Sequence, residues 1–340
     1  MVCNFQTSNS WVILNPIEQS IKQKIEAVGT PLKDWDIKIN RGILTGCNDA
    51  FIIDEAKRDE LIAEDPKSAE IIRPILRGRD IKRYGYNWAQ LYLIATFPSR
   101  HYDIDDYPAV KRYLLSFDKE RLLTAGYTDI ANNSKLLREY CQKRLEQSGK
   151  DVVVDGRKIV IEGKVQKSRK KTGNKWFETQ DQIGYWEDFS KPKIVWAETM
   201  RIKRDNNELF PRFSYIKDYV FTNNSCFLAT GRNIKYILAF LNSVIGRYQL
   251  SQMVSILDNG GYFMREIYIN LFKVPKGNPS FQESIDLLLS EITKNEITSF
   301  QRDTLEERIN LLTFQAFQIN SQEQEYITNV ISRELDSRKF

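Results

Sequence analysis

The sequence is poor in the residues from which metal and redox sites are usually built. Among its 340 residues there is a single histidine, His101, which excludes a site held by several histidines. Its four cysteines lie far apart without CxxC spacing, so we expect free thiols, as in cytoplasmic proteins. No apolar run approaches the ~18 residues of a membrane span, and the N-terminus lacks a signal-peptide pattern. The sequence therefore predicts neither membrane insertion nor secretion.

Motifs for nucleotide and cofactor binding are missing as well. Neither GxGxxG nor GxxxxGK[ST], the glycine-rich phosphate-binding loops, occurs in the sequence. An amino-methyltransferase that flips its target base needs an Asn/Asp-Pro-Pro-Tyr/Phe tetrapeptide, and the nearest segment, Asn15-Pro16-Ile17-Glu18, has the character of a helix start. We therefore expect this chain to bind no cofactor, S-adenosylmethionine included, and we find no complete active site in it.

The net charge of +5 is concentrated in one segment. Residues 151–175 contain eight Lys/Arg and three Asp/Glu, and the remainder of the chain is balanced. Such a concentration indicates contact with a polyanion at a defined place, although a solvated hairpin whose lysines aid solubility fits the same charges. Two β-branched runs flank Asp155-Gly156 in this segment, which predicts a β-hairpin.

The same hairpin offers one candidate catalytic group. Asp155 and Glu162 could hold Mg²⁺ while Lys164 assists an attacking water, as in a metal-dependent nuclease. Against this hypothesis, Asp155 is needed for the tight turn, and a charged hairpin without catalytic function explains the same residues.

The hydrophobic pattern predicts a mixed α/β fold with several short strands. Apolar residues at helical spacing predict a helix over Pro16–Val28 that Gly29 ends. Alternating residues within 36–54 predict two short strands joined at Gly42 and Gly46.

The chain becomes wholly helical after Pro279, where Ser280/Glu283 and Ser321/Gln324 predict capping boxes at two helix starts. We therefore expect a target-binding domain over 1–277, with a basic insert near 124–174, and a helical segment over 278–340.

Three segments carry a resemblance to a known family. They read WDIKINRGILTGCNDAFII at 35–53, IRPILRGRDIKRY at 72–84, and KWFE to KPKIVWAE within 175–198. In this order they resemble the target recognition domain of type IIG restriction–modification enzymes, the TaqI-like C-terminal specificity domain, which is related to type I specificity subunits. The likeness covers about 11–331, apart from the basic insert, which has no counterpart in the family.

The resemblance implies recognition of double-stranded DNA in bacterial defence. Adenine N6 methylation and DNA cleavage would then belong to methyltransferase and nuclease domains outside this chain, linked in cis or acting in trans. S-adenosylmethionine and Mg²⁺ would be needed only by those domains. A helical protein-interaction module that has lost DNA binding is the alternative.

In this family the stretch after the KPKIVW strand varies with the DNA sequence recognised. Arginine and lysine suit guanine, glutamate suits cytosine, and threonine suits the thymine methyl group, although a polar turn would contain the same residue types. The predicted base-reading residues of this stretch are Glu198, Arg201, Lys203 and Arg204. The loop at Gly42 and Gly46 adds Arg41, Thr45 and Asn48 as further candidates.

Two basic clusters suit the DNA backbone, because phosphate contacts position a protein without reading sequence. For the first cluster the alternative is a face salt-bridged to Asp80. The predicted phosphate-binding residues are Arg77, Arg79, Lys82, Arg83, Lys167, Arg169, Lys170 and Lys171. The aromatic residues Trp176, Phe177, Trp186 and Trp196 are predicted to pack in the core rather than to stack on bases.

Overall fold

The computed structural model describes residues 14–117, 173–201, 210–258, 261–294 and 297–337, with the backbone of three short strands between 152 and 166 and of residues 139 and 142. Within these ranges, no helix combines the length and the apolar character that a membrane span requires.

The described elements form a mixed α/β fold, as predicted. The helices are α1 (Pro16–Val28), α2 (Asn48–Phe51), α3 (Glu55–Glu64), α4 (Pro108–Leu115), α5 (Ile234–Asn242), α6 (Val244–Met253), α7 (Glu266–Ile269), α8 (Pro279–Ile292), α9 (Ser299–Ala316) and α10 (Ser321–Ser337). The strands are β1 (Gly29–Pro31), β2 (Ile37–Arg41), β3 (Ile52–Asp54), β4 (Ile72–Leu76), β5 (Leu91–Ile94), β6 (Val152–Asp155), β7 (Lys158–Ile161), β8 (Lys164–Gln166), β9 (Lys193–Ala197), β10 (Thr199–Met200), β11 (Phe213–Ile216), β12 (Phe221–Thr222), β13 (Cys226–Gly231), β14 (Ser255–Ile256), β15 (Tyr262–Phe263) and β16 (Lys273–Pro275).

A four-stranded antiparallel sheet lies between two hydrophobic cores. Its strand order is β11-β9-β13-β2. Because side chains alternate along a strand, Ile194 and Trp196 face one core while Val195 faces the other. Every residue of β9 is buried, which explains its nearly continuous apolar sequence. Trp196 is 0% exposed and its indole N–H donates to the Met264 carbonyl, so its predicted place in the core is confirmed.

A second sheet, with strand order β12-β4-β5-β3, lies on the Val195 side of the central sheet. In it β12 runs parallel to β4, whereas β5 pairs antiparallel with both β4 and β3. Helices α3 and α4 contribute Leu61, Val110 and Leu114 to the core between the sheets. The chain passes from the second sheet into the central one through the turn Asn223–Ser225, which separates β12 from β13.

The C-terminal helices pack on the other side of the central sheet, together with α1, α5 and α6. Ile21 of α1, Ile285 of α8 and Ile309 of α9 belong to the same core as Trp196. That core is continuous across the predicted domain boundary at 277, so the helices cover the sheet. Glu323 of α10 accepts hydrogen bonds from Lys24 and Ser20 of α1, which joins the first helix to the last.

Several local predictions differ from the structure. Helix α1 is not among them, because it has the predicted bounds and Gly29 is its C-cap, in an extended conformation with φ of −82° and its N–H bonded to the Ile25 carbonyl oxygen. A side chain there would place its Cβ 2.5 Å from the Ile25 carbonyl oxygen, so close packing requires the glycine. The two short strands predicted within 36–54 are present as β2 and β3, but they are not joined directly at the glycines, because α2 lies between them and they belong to different sheets.

Neither predicted capping box forms at the predicted residues, and the α8 start has a side-chain cap in place of a box. Asn278 caps α8 through its side-chain oxygen, and Asn320 with Glu323 forms the reciprocal pair at the start of α10. The basic hairpin is confirmed by the antiparallel pairing of β6 with β7, to which β8 adds a third strand.

Gly42 provides a test of how the two sheets are held together. A Cβ at this position would lie 2.0 Å from the Asn223 carbonyl oxygen, and a backbone contact of this kind cannot relax cheaply. We expect Gly42→Ala to lower the free energy of unfolding by about 1–3 kcal/mol or more, measured by urea denaturation. Gly85→Ala is the matched control, since its Cβ would meet no atom within 4 Å, and equal losses in both variants would contradict the interpretation.

Candidate nucleic-acid interface

The turn Asn223–Ser225 organises one end of the central sheet. The Asn223 side-chain oxygen accepts hydrogen bonds from the backbone N–H and the hydroxyl of Ser225. The Asn224 N–H donates to the Ile43 carbonyl at 2.9 Å, and the Gly78 N–H donates to the Ser225 hydroxyl at 2.9 Å. The turn thereby holds the residues after β2 and the residues after β4 next to each other. The sequence does not single it out, because Asn-Asn-Ser between two apolar runs indicates only a turn.

An arginine–glutamate pair lies beside this turn. Arg41, the last residue of β2, donates from Nη2 to both carboxylate oxygens of Glu198, at 3.0 and 2.9 Å, and from Nε to the Asn224 carbonyl at 3.1 Å. The Arg41 side chain is 46% exposed, and such pairs contribute about 0–1 kcal/mol to stability. Both groups can therefore exchange partners with a ligand at little cost.

The backbone under this pair is fixed by Tyr185. Its hydroxyl donates to the Arg41 carbonyl oxygen at 2.7 Å. Burial raises the pKa of Tyr185 to about 12, so the phenol stays protonated and remains a donor at neutral pH.

A cleft of about 390 Å³ opens beside the turn, and Asn48, Arg77, Arg79 and Ser225 are among its lining residues. Asn48 and Arg79 are exposed. The Arg77 guanidinium is held by the buried Asp80 carboxylate, with Nε–Oδ2 at 3.1 Å and Nη2–Oδ1 at 2.9 Å. For the predicted phosphate-binding residues that begin at Arg77, the alternative was a salt bridge to Asp80. That alternative applies to Arg77 and not to Arg79.

Thr45 was predicted to read bases, but the structure places it inside the protein. It is 0% exposed, its hydroxyl donates to Asn48 Oδ1 at 2.7 Å, and it accepts the Cys47 N–H at 3.2 Å. A side chain in this position cannot reach a DNA base. Its role is to hold the start of α2 and to orient Asn48.

Arg83 was predicted to bind phosphate, yet it faces the C-terminal helices. Its guanidinium donates to both carboxylate oxygens of Glu306, at 2.9 and 2.8 Å, and to the carbonyl oxygens of Pro211 and Asn242. Both side chains of the ion pair are nearly buried. Because removing one partner of a buried pair is costly, Arg83 is committed to packing α9 against the sheets. The basic segment therefore divides at Asp80, with Arg77 and Arg79 at the turn and Arg83 at the helices.

Several predicted residues cannot be assigned to this surface. Arg201 is exposed, and its carbonyl oxygen accepts from Arg212 Nη1 at 3.0 Å. The predicted residues that lie outside the described ranges are Lys203, Arg204, Lys167, Arg169, Lys170 and Lys171.

The hairpin considered as a nuclease site does not bring its catalytic candidates together along the backbone. Asp155 of β6 pairs with Lys158, and Lys164 of β8 pairs with Ile161. Asp155 and Lys164 therefore lie beside opposite ends of β7, about 10 Å apart along the strand. Glu162 lies outside the described residues. Among the side chains that the structure describes, no group of three or more His, Cys, Asp or Glu could hold a metal ion.

Thr45 can be tested by paired substitutions. We expect Thr45→Val to lower the free energy of unfolding by about 1–3 kcal/mol, because the Cys47 N–H would then be buried without its acceptor. Thr45→Ser keeps the hydroxyl and should lose much less, as measured by urea denaturation. A serine variant as unstable as the valine variant would show that the methyl group, not the hydroxyl, is what matters.

No family model and no curated protein matches this sequence. Among solved structures, the type IIL restriction–modification enzyme MmeI in complex with DNA resembles the chain with a TM-score of 0.55 and 11% identity, covering 90% of this chain and 36% of that one. The type IIG restriction endonuclease BpuSI has a TM-score of 0.45 and 12% identity, covering 90% of this chain and 33% of that one. This chain thus spans about a third of the length of each. The likeness to MmeI shows a shared fold, and it supports the resemblance inferred from the sequence as far as the fold is concerned.

Proposed function

We propose that this chain recognises a specific sequence in double-stranded DNA, as the target recognition domain of a restriction–modification enzyme. The observation that carries the proposal is the convergence of Arg41, Asn48, Arg79 and Glu198 around the turn Asn223–Ser225. These residues come from segments far apart in the sequence, and each of them belongs to a segment that resembles the family. The fold neighbour MmeI was solved in complex with DNA.

The chemistry of these side chains suits base reading in the major groove. Arginine can donate to guanine O6 and N7, asparagine can pair with adenine N6 and N7, and glutamate can accept from cytosine N4. In the free protein Arg41 and Glu198 satisfy each other. Bases with complementary groups would replace that contact, whereas other bases would leave both charges poorly satisfied.

Arg79 is the stronger candidate for phosphate contact within its cluster. Its side chain is exposed beside the same turn, whereas the charge of Arg77 is compensated by Asp80. Methylation at adenine N6 and cleavage would be carried out by domains outside this chain, in cis or in trans. S-adenosylmethionine and Mg²⁺ would be bound there.

The phosphate contact can be tested through its salt dependence. We expect Arg79→Gln to weaken binding to all duplexes alike and to make the slope of log affinity against log salt shallower by about 0.9, the value for one phosphate contact. Fluorescence anisotropy with the 340-residue chain measures both quantities. Arg232→Gln is the control, because Arg232 is 85% exposed at the opposite end of β13. An unchanged slope in Arg79→Gln would remove this residue from the interface.

Base reading is tested by selection from a pool of randomised duplexes. We expect Asn48→Ala and Glu198→Ala each to relax preference at one position of the selected site, by roughly ten- to a hundredfold, since a good base contact discriminates by about 1–3 kcal/mol. Asp36→Ala, at the far end of the sheet, should keep the wild-type site. Wild-type specificity in both test variants would place base reading elsewhere. Absence of binding to any duplex at low salt would favour the alternative of a protein-interaction module.

A further inference from the structure

A second concave surface lies between the sheets and the C-terminal helices. It has a volume of about 770 Å³. The loop Lys82–Asn87 and residues 215–218 form one wall, and the opposite wall consists of the end of α8 with Lys294 and of Arg302 in α9. We call this surface the interdomain cleft, because its two walls come from either side of the predicted boundary at 277. None of its residues contributes to the turn Asn223–Ser225, so it is distinct from the candidate interface.

The interdomain cleft is strongly cationic. Among its described lining residues, Asp218 is the single carboxylate, and the cations are Lys82, Arg83, Lys217, Lys294 and Arg302. Arg83 and Lys294 are compensated by carboxylates from outside the cleft, Glu306 and Glu291 respectively, and Lys82 has an interaction partner as well.

Lys217 and Arg302 make weaker contacts than these two ion pairs. Lys217 is exposed near the Tyr215 ring, with Nζ 5.9 Å from its centroid, and Arg302 Nη1 donates to the Arg83 carbonyl oxygen over a long distance of 3.5 Å. The Asp218 carboxylate accepts the Tyr86 hydroxyl at 2.7 Å. Positive charges from both walls therefore outnumber the carboxylates among the described residues of this cleft.

The exposed Asn87 amide provides a neutral donor in the same cleft. The Ser290 and Thr293 hydroxyls also line it, but they donate to the carbonyl oxygens of Asp286 and Leu289 within their own helix. Lysine and arginine side chains suit an anion with several acceptor oxygens, and phosphate provides three or four. An uncharged apolar ligand would not compensate these positive charges.

The geometry points to a site for phosphate groups in the interdomain cleft. Either a DNA backbone or a free nucleotide could supply them. The first source rests on the proposed function. It is favoured by continuity along the chain, because Arg79 faces the turn and Lys82, three residues later, lines the cleft. Three residues span at most ~11 Å, so one strand of a duplex could contact both surfaces.

The charges of this site have a consequence for stability. Like charges held close together repel, and neutralising one of them does not destabilise the folded protein unless it also packs. We therefore expect Lys217→Gln/Arg302→Gln to unfold at or above the wild-type temperature, although it binds the ligand more weakly. A residue pair with a merely structural role would instead lower the unfolding temperature.

The first experiment uses inorganic tripolyphosphate and no DNA, so it is independent of the proposed function. We expect tripolyphosphate to raise the melting temperature of the wild type, as any ligand of the folded state does. Lys217→Gln/Arg302→Gln should bind it at least tenfold more weakly. The charge-matched control Lys22→Gln/Lys33→Gln, at exposed lysines outside the cleft, should respond as the wild type does. No stabilisation of the wild type, or an undiminished response in the cleft variant, would overturn the proposal.

A second experiment distinguishes the two sources of phosphate. If the site holds DNA, the cleft variant should bind long duplexes with a salt slope shallower by about 0.9 for each phosphate that it no longer neutralises. If it holds a free nucleotide, calorimetry should show a nucleoside triphosphate binding to the wild type and not to the cleft variant, with duplex affinity unchanged. If the cleft variant equals the wild type towards both ligands, the interdomain cleft is not a phosphate site.

Discussion

Two backbone segments approach the turn Asn223–Ser225 so closely that a side chain at either point of contact would meet the opposite segment. Gly42 packs against the Asn223 carbonyl oxygen, and Gly78 packs against Ser225 and Ala197. Because the turn is also where the chain leaves the second sheet for the central one, these contacts fix the position of one sheet relative to the other. They fix the candidate interface as well, since Arg41 precedes the first glycine and Arg79 follows the second.

The sequence predicts four of the residues that the structure brings together at the candidate interface, because polar residue types are informative where they are exposed. Arg41, Asn48, Arg79 and Glu198 all stand out in the motifs, and the structure brings them to one end of the sheet. Thr45 stands out for the same reason and is buried, because periodicity cannot say on which side of a short irregular segment a threonine lies. The two strands predicted within 36–54 are present but belong to different sheets, because glycines indicate a change of chain direction and carry no information about which strand is the partner.

Local sequence patterns do not predict contacts between residues that are far apart in the sequence. Arg83 and Glu306 are separated by 223 positions, and neither neighbourhood in the sequence indicates that they form a buried ion pair. A buried pair of this kind contributes little net stability but is costly to break, so it orients one element against another more than it strengthens the fold. Here it seats α9 against the sheets, and the helices thereby complete the wall of the interdomain cleft. The basic segment 77–83 consequently belongs to two surfaces, although in the sequence it resembles a single patch.

The pairing of Arg41 with Glu198 also bears on how such a protein diverges. Each side chain neutralises the other at an exposed end of the sheet, with Arg41 at the end of β2 and Glu198 directly after β9. A single substitution at either position leaves one charge without its partner, and an exchange of the two residues would also lose the hydrogen bond from position 41 to the Asn224 carbonyl oxygen. Descendants of this sequence are therefore expected to change positions 41 and 198 together, to pairs in which position 41 keeps a donor, and such changes would be visible as covariation among relatives.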